Sequence, residues 1–330
     1  MLKSKTKKAL QTTKNLLAFS AGGDSTALLF LLLENDIKFD IAIVDYGTRE
    51  QSKEEVAYAK ALAKEYGFTC NVHHAQKITT NFEANARQIR YDFFESLIQQ
   101  NSYDTLLTAH HLGDRFEWML MQFCKGAGCA ELAGMQEKTQ RNGYMLYRPL
   151  LHVNKEELLE YLHGNNIRYF EDASNADEKY TRNIFRHNYT NPLLQKYAQG
   201  IKKSFAYMDA DVRDLIQSTS LQKINELACF KKTPTRRNDI YHIDKYLKSI
   251  NHLMSGEEKK LLQIQDSLVI GRKYVVTMTA EYILIAPYIK PVNMPKNFKE
   301  RMRSLHVEPK LRGYLLTDPE AVEFLSLLLV

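Results

Sequence analysis

Between the apolar run Asn15-Leu16-Leu17-Ala18-Phe19 and a helix-spaced apolar segment lies Ser20-Ala21-Gly22-Gly23-Asp24-Ser25. Small residues at 21–23 let backbone N–H groups approach a ligand, and Asp24 and Ser25 open a helix whose N-terminus attracts anions. The guest that suits such a loop is phosphate. Neither G-x-x-x-x-G-K-[ST] nor G-x-G-x-x-G is present, so the two common phosphate-loop families do not fit. The competing reading is an ordinary strand–helix turn, with glycine relieving strain and Asp or Ser capping the helix.

Four other groups have the types and spacing for chemistry. Asp114 and Glu117 are three apart at the start of a helix, hence on one face, and suit an ammonium group or a metal. Acids are nevertheless favoured in any first turn. His110 and His111 immediately precede them and are placed to stabilise a developing oxyanion or a phosphate, although a lone histidine is usually structural. Arg87 and Arg90 lie one turn apart behind an expected Asn81 cap and point together at phosphates, unless Glu83 and Arg87 form a surface pair. Arg182 and Arg186, four apart, also share a face, and a solvated basic face is the alternative.

These groups need a frame. The apolar periodicity predicts strands near 16–19, 40–45, 69–73 and 104–109, alternating with helices at 25–34, 52–66, 82–99 and 113–124. Such a βαβα succession gives an α/β fold, a doubly wound, mostly parallel Rossmann-like sheet, with ligands at the carboxyl ends of its strands. Every polar cluster falls at such an end: Ser20–Ser25, Asp45-Tyr46-Gly47, His73-His74 and His110-His111. Further on, Arg141–Tyr144 reads as a turn, Asn154 caps a helix with Glu157 at the capping-box position, and Ser255 caps another. Residues 195–217 read as helix, and 274–279 pairs with 282–285 as a hairpin. The second half is thus expected to be a largely helical C-terminal domain.

A length of 330 residues suggests two domains. No stretch approaches 18 uninterrupted apolar residues, and the lysine-rich N-terminus lacks an apolar signal core, so the expectation is a soluble, cytoplasmic protein without a membrane. Cys70, Cys124, Cys129 and Cys229 form no C-x-x-C pair, which argues against zinc, iron–sulfur or disulfide chemistry. Residues 1–190 hold 23 Lys and Arg against 24 Asp and Glu, while 191–330 hold 22 against 15. The basic excess clusters at Lys231, Lys232, Arg236 and Arg237 and again from Lys296 to Arg312, with aromatics interleaved. That pattern suits a nucleic-acid backbone, or else is a solvated lysine-rich surface.

The loop Ser20–Ser25 is similar to the S-G-G-x-D-S loop of the N-type ATP pyrophosphatases, the PP-loop family of the adenine-nucleotide alpha-hydrolase type. More narrowly, the chain resembles the lysidine-forming members. That match rests on Val44-Asp45-Tyr46-Gly47-Thr48-Arg49, Asn81 to Tyr91, Ala109-His110-His111-Leu112-Gly113-Asp114-Arg115-Phe116-Glu117, Arg148-Pro149-Leu150-Leu151, Asp172-Ala173-Ser174-Asn175 and Arg182-Asn183-Ile184-Phe185-Arg186, in the family's order and spacing. The tail from Phe298 to Arg312 matches less closely.

The resemblance implies a ligase whose ATP-pyrophosphatase catalytic domain covers 1–192, followed by a basic tRNA-binding region over 193–330. ATP would adenylylate the C2 oxygen of the cytidine at the first anticodon position of tRNA(Ile), and the ε-amine of L-lysine would displace AMP. Ser20, Ala21, Gly22, Gly23, Asp24, Ser25, Asp45, Arg87, Arg90 and His110 would bind ATP, with Asp24 also near Mg2+. Asp24, Asp114 and Arg182 would be catalytic, and Asp114 and Glu117 would hold lysine. Asp172, Asn175, Arg182, Asn183, Arg186, Lys231, Lys232, Arg236 and Arg237 would face the adenylate or the tRNA. The implied partners are tRNA(Ile) with a CAU anticodon, ATP and L-lysine, and a homodimer is left open.

The sequence departs from the family at Ala21 for a loop Gly, Tyr46 for the usual His, Gly113 for the first of two Asp, and Lys125 for Arg. If position 21 needs a positive φ, Ala costs ~1 kcal/mol against Gly. Two alternatives stay open: another PP-loop transferase, such as one thiolating cytidine, and a catalytically inert RNA-binding relative. The missing C-x-x-C disfavours the first, and retention of Asp24, Asp114 and Glu117 disfavours the second.

Overall fold

The computed structural model describes residues 1–47, 51–141, 143–171, 181–290 and 293–329. Thr48, Arg49, Asn142, Asp172, Ala173, Ser174 and Asn175, named above, lie outside them. The chain divides into two compact units, Met1–Val212 and Arg213–Val330, a division beyond the expected boundary at 192.

In the first unit the order is α1 (Ser4–Gln11), β1 (Asn15–Ala18), α2 (Gly23–Leu33), β2 (Phe39–Asp45), α3 (Gln51–Tyr66), β3 (Cys70–His74), α4 (Phe82–Asn101), β4 (Thr105–Leu107) and α5 (Leu112–Phe123). There follow α6 (Cys129–Leu132), the hairpin β5 (Lys138–Arg141) and β6 (Tyr144–Tyr147), α7 (Lys155–Gly164), α8 (Thr181–Phe185), a π-helical turn at Arg186–Thr190, and α9 (Asn191–Leu215). The strands form one sheet in the order β3-β2-β1-β4-β6-β5, parallel except for β5. The mostly parallel, doubly wound sheet is therefore as the periodicity predicts. Strand order reverses between β1 and β4, and a crevice at that switch point is where such sheets bind ligands.

Burial explains the register. Leu16 and Leu17 of β1, Ile41 and Ile43 of β2, and Leu106 and Leu107 of β4 are buried, as expected of strands covered by helices on both faces. α2 is apolar nearly all round, and Ala27, Leu28, Leu29 and Leu32 are wholly buried. α5 buries Leu112 and Phe116 against Leu194 and Phe205 of α9. Arg115 ties the same elements together, donating from Nη1 to Asp209 at 3.0 Å and from Nε to the Ala133 carbonyl at 3.1 Å.

The second unit contains β7 (Leu221–Ile224), β8 (Leu227–Lys231), α10 (Arg236–Ser249), α11 (Gly256–Ile264), β9 (Ser267–Ile270), β10 (Tyr274–Met278), β11 (Tyr282–Pro287), α12 (Lys296–Ser304), α13 (Arg312–Leu315) and α14 (Pro319–Leu328). It is helix-rich, as expected, and also holds a five-stranded antiparallel sheet, β7-β8-β11-β10-β9. The β10–β11 hairpin is the one the sequence predicts; the other three strands extend it. The Ser255 capping box is present, with its Oγ accepting from the Glu258 N–H at 3.2 Å.

Candidate active site

The loop after β1 is held by its own serines and by a neighbouring segment. Ser25 Oγ lies 3.1 Å from Ser20 Oγ and donates to the Gly22 carbonyl at 3.1 Å. The Phe170 N–H donates to the Ala21 carbonyl at 2.9 Å, and Gly22 and Phe170 form an isolated parallel bridge. Ala21 is fully buried with φ +59°, so the strain anticipated for this departure is present. A Cβ on Gly23 would meet the Tyr169 ring at 3.4 Å, in van der Waals contact. The loop then turns into α2 at Gly23 and aims the first N–H groups of an eleven-residue helix into the crevice.

Across the switch point, His111 caps α5. Its Nδ1 accepts from the Gly113 N–H at 3.0 Å, and Asp114 Oδ2 accepts from the His111 N–H at 3.0 Å. With Nδ1 an acceptor, Nε2 carries the proton in the neutral ring. That Nε2 lies 3.7 Å from Asp24 and 3.5 Å from Asp114, between two of the expected catalytic carboxylates. Asp24 Oδ1 is buried and has no hydrogen-bond partner among the described residues. A buried carboxylate oxygen without a donor fits a cation, and phosphate oxygens of ATP would complete the oxygen-rich ligand set that Mg2+ takes.

Asp114 and Glu117 share one face as expected, and Arg182 and Arg186 meet them there. Arg182 donates from Nε to Glu117 Oε1 and from Nη2 to Asp114 Oδ1 at 3.1 Å. Arg186 donates from Nε to Glu117 Oε2 at 2.8 Å and from Nη2 to Asp114 Oδ1 at 3.4 Å. Burial would raise the Asp114 carboxyl, but His111, His110 and Arg182 together hold it well below the usual carboxylate range. Burial pushes His110 down to about 4, although Asp114 opposes it, so the ring is neutral near pH 7; Thr108 Oγ1 lies 2.9 Å from its Nδ1. Burial also disfavours the charge on Arg182, but Glu117 and Asp114 outweigh it and raise its pKa.

The remaining expected residues are placed as follows. Arg87 and Arg90 are exposed on α4, and Arg87 stacks 4.8 Å from the Tyr91 ring centroid. The Glu83–Arg87 pair does not form among the described residues. Asn81 stands at the N-cap of α4 in the left-handed region, φ +42°, and its side chain makes no capping bond, contrary to the expected cap. Asp45 binds its own loop: burial would raise it, yet the Gly47 N–H, Ser52 and His74 bring it below the usual range. Asn183 is buried, and Asp172 and Asn175 lie outside the described residues. In the second unit Lys231 and Arg237 are exposed and Lys232 is half-buried. Arg236 instead donates to the carbonyls of Leu262, at 2.7 Å, and Gln265, and pairs with Asp266, so its charge is held at the end of α11.

Sequence reasoning misses the segment that braces the loop, Tyr169 and Phe170, because two aromatic residues carry no signal of a contact so distant along the chain. It also misses Tyr46 as a brace: its hydroxyl donates to the Ala86 carbonyl at 3.0 Å and its ring meets Phe82 edge-on.

A profile of the PP-loop domain matches residues 2–193, and the first unit is a domain of that class. A U34-tRNA thiolase from Methanococcus maripaludis, solved with its [4Fe-4S] cluster, has the same fold: TM-score 0.52, 18% identity, over 66% of this chain and 80% of that one. Much nearer in sequence are the tRNA(Ile)-lysidine synthase of Helicobacter pylori, 42% identical over 94% of this chain and 91% of that protein, and that of Campylobacter jejuni, 39% identical over 96% and 97%. The chain belongs to the tRNA(Ile)-lysidine synthase family, a family of ligases.

Proposed function

We propose that the protein joins L-lysine to C2 of the cytidine at the first anticodon position of tRNA(Ile), with ATP as co-substrate. The C2 oxygen attacks the α-phosphorus and pyrophosphate leaves; the lysine ε-amine then forms the C2–N bond, the C2–O bond breaks, AMP departs, and the amine's protons pass to solvent. An amide-like oxygen is a poor leaving group, and adenylylation makes it a good one.

The loop N–H groups and the α2 N-terminus hold the departing phosphates, joined by Arg87, Arg90 and the neutral His110. Mg2+, when bound with ATP, supplies charge that offsets the developing negative charge on pyrophosphate, and Asp24 is the residue to hold it. Asp114 and Glu117 receive the lysine ammonium, while Arg182 and Arg186 neutralise those carboxylates when lysine is absent and turn to the adenylate and the tRNA when it binds. One observation carries this reading: a buried and a half-buried carboxylate, Glu117 and Asp114, with matched arginines stand opposite a PP-loop. A cation site of that depth next to a phosphate site suits an amine acceptor better than a sulfur or ammonia donor.

The test is to incubate the purified protein with ATP, labelled lysine and a tRNA(Ile) transcript bearing the CAU anticodon. Label in tRNA and tRNA-dependent AMP release are expected. Lysyl-adenylate formed from lysine and ATP alone would place the chemistry with the aminoacyl-tRNA synthetases and overturn the proposal.

A further inference from the structure

From Thr181 to Met208 the chain has five Lys and Arg and no Asp or Glu. Three of the five are held: Arg182 and Arg186 by the site carboxylates, and Lys202 by Glu157 at 2.5 Å. Lys196 and Lys203 are exposed and have no carboxylate partner among the described residues. The inner side of α9 packs Leu194, Ile201, Phe205 and Met208 against α5. Its other side leaves Tyr197 59% and Tyr207 60% exposed, and Tyr189 in the π turn is 51% exposed. The Lys203 ammonium lies 5.7 Å from the Tyr207 ring centroid.

A row of exposed tyrosines interleaved with lysines that no carboxylate holds, on a stretch without acids, has the composition of a nucleic-acid rail. Ring faces stack on any base, and ammonium groups meet phosphates by counterion release. At 1.5 Å per residue, positions 193 to 207 extend about 21 Å, enough to follow several nucleotides. α9 bends at Tyr197, where φ is −130° and ψ 19°, so the rail changes direction at one of its aromatic positions. It is also continuous along the chain with Arg182 and Arg186, so RNA lying on it leads to the site.

We propose that the outer face of the π turn and α9 is an RNA-docking face of the catalytic unit, taking the tRNA backbone on Lys196 and Lys203 and unstacked bases on Tyr189, Tyr197 and Tyr207. This rests on the tRNA-modifying function proposed above and adds a surface to it. A tyrosine-lined face of this kind can alternatively join two copies of the chain, and the experiment separates the two.

The full chain is compared with two double variants, Lys196→Gln/Lys203→Gln and Tyr197→Ala/Tyr207→Ala, for binding to the CAU-anticodon transcript across a salt series. The lysine variant is expected to flatten the log K against log [salt] slope by about 0.7–0.9 for each of the two phosphates it leaves without a lysine. The tyrosine variant is expected to raise Kd by about thirtyfold or more with the slope kept. Wild-type affinity and slope in both variants overturn the proposal. So does a tyrosine variant that loses only a wild-type oligomer, seen by light scattering, while binding RNA normally. Lysine transfer by the wild-type protein is measured alongside: transfer without these binding effects sinks the docking face alone, and the binding effects without transfer sink the ligase reading alone.

Discussion

In the first unit 26 Lys and Arg meet 26 Asp and Glu, whereas in the second 19 meet 13. The balance in the first conceals local order. Opposite charges are matched inside a crevice, around Asp114 and Glu117, where a low dielectric makes each one count. The excess in the second is spread over exposed lysines and arginines, where salt screens it, and part of it is held internally, as Arg236 is by Asp266. Chemistry should therefore be sensitive to single residues in the first unit, and affinity to summed charge in the second.

The largest effect that could break this contrast is loss of a site carboxylate. Asp24→Asn and Asp114→Asn keep shape and remove charge, and each is expected to lower single-turnover lysine transfer by about 10²–10³-fold while circular dichroism stays native. Wild-type rates in either variant would show that the carboxylates only cap and pack. Asp114→Asn also leaves Arg182 and Arg186 short of a partner, so a modest loss of stability is expected with it.

The half-buried His110 gives the next largest effect. An unfolded chain takes up a proton on His110 near pH 6.5, but the folded protein resists until about 4. Stability from this group is thus complete above pH 6.5 and falls as the pH drops toward 4, by roughly 3 kcal/mol in all. His152, lowered in the same direction by its burial, adds to the slope. Denaturant titrations between pH 7 and 4 should show the fall, and His110→Gln should remove most of it. An undiminished slope in that variant would mean the proton goes elsewhere.

In the second unit the effect is smaller and salt-dependent. Lys231→Ala/Lys232→Ala/Arg237→Ala should weaken tRNA binding for every sequence and flatten the salt slope by about 0.7–0.9 for each phosphate no longer neutralised. Arg236→Ala should instead lower the melting temperature, because it frees the end of α11, with little change in slope. If Arg236→Ala reproduced the slope change of the triple variant, the exposed and the internally held charges would be equivalent and the contrast would fail.

What is legible in the sequence follows the same division. Strands such as Ile41–Val44 and the polar residues after them can be read because short apolar runs and period-3.6 patterns are local. Pairings across long stretches of chain cannot: nothing near Asp114 signals Arg182, and nothing near Ala21 signals Phe170. Asn81 misleads because its backbone is left-handed, not in the extended conformation from which an N-cap side chain bonds the helix N–H groups. In the second unit, β7 is exposed along most of its length, and β8 and β9 are four or five residues long. The exposed β7 gives β8 no matching apolar run across its turn, whereas β10 and β11 are both apolar.

The smallest expected effect sharpens a second contrast, between a loop that works through its backbone and a cluster that works through its side chains. Ala21 sits at φ +59° with its methyl buried. Ala21→Gly relieves left-handed strain of about 1–2 kcal/mol. It also gives up roughly 0.8 kcal/mol of buried methyl and frees the unfolded chain by about 0.5–1 kcal/mol. These terms nearly cancel, so stability should stay within about 1 kcal/mol and the KM for ATP should hold, since the N–H groups keep their places. Ala21→Val, by contrast, forces a β-branched residue into the same region and a filled space, and should unfold the loop or the domain. Thermal melts and ATP titrations of the pair decide the matter. If Ala21→Gly lost ATP binding as severely as Ala21→Val, the methyl itself would be shaping the phosphate site, and the loop would belong with Asp114 and Glu117 as a side-chain device.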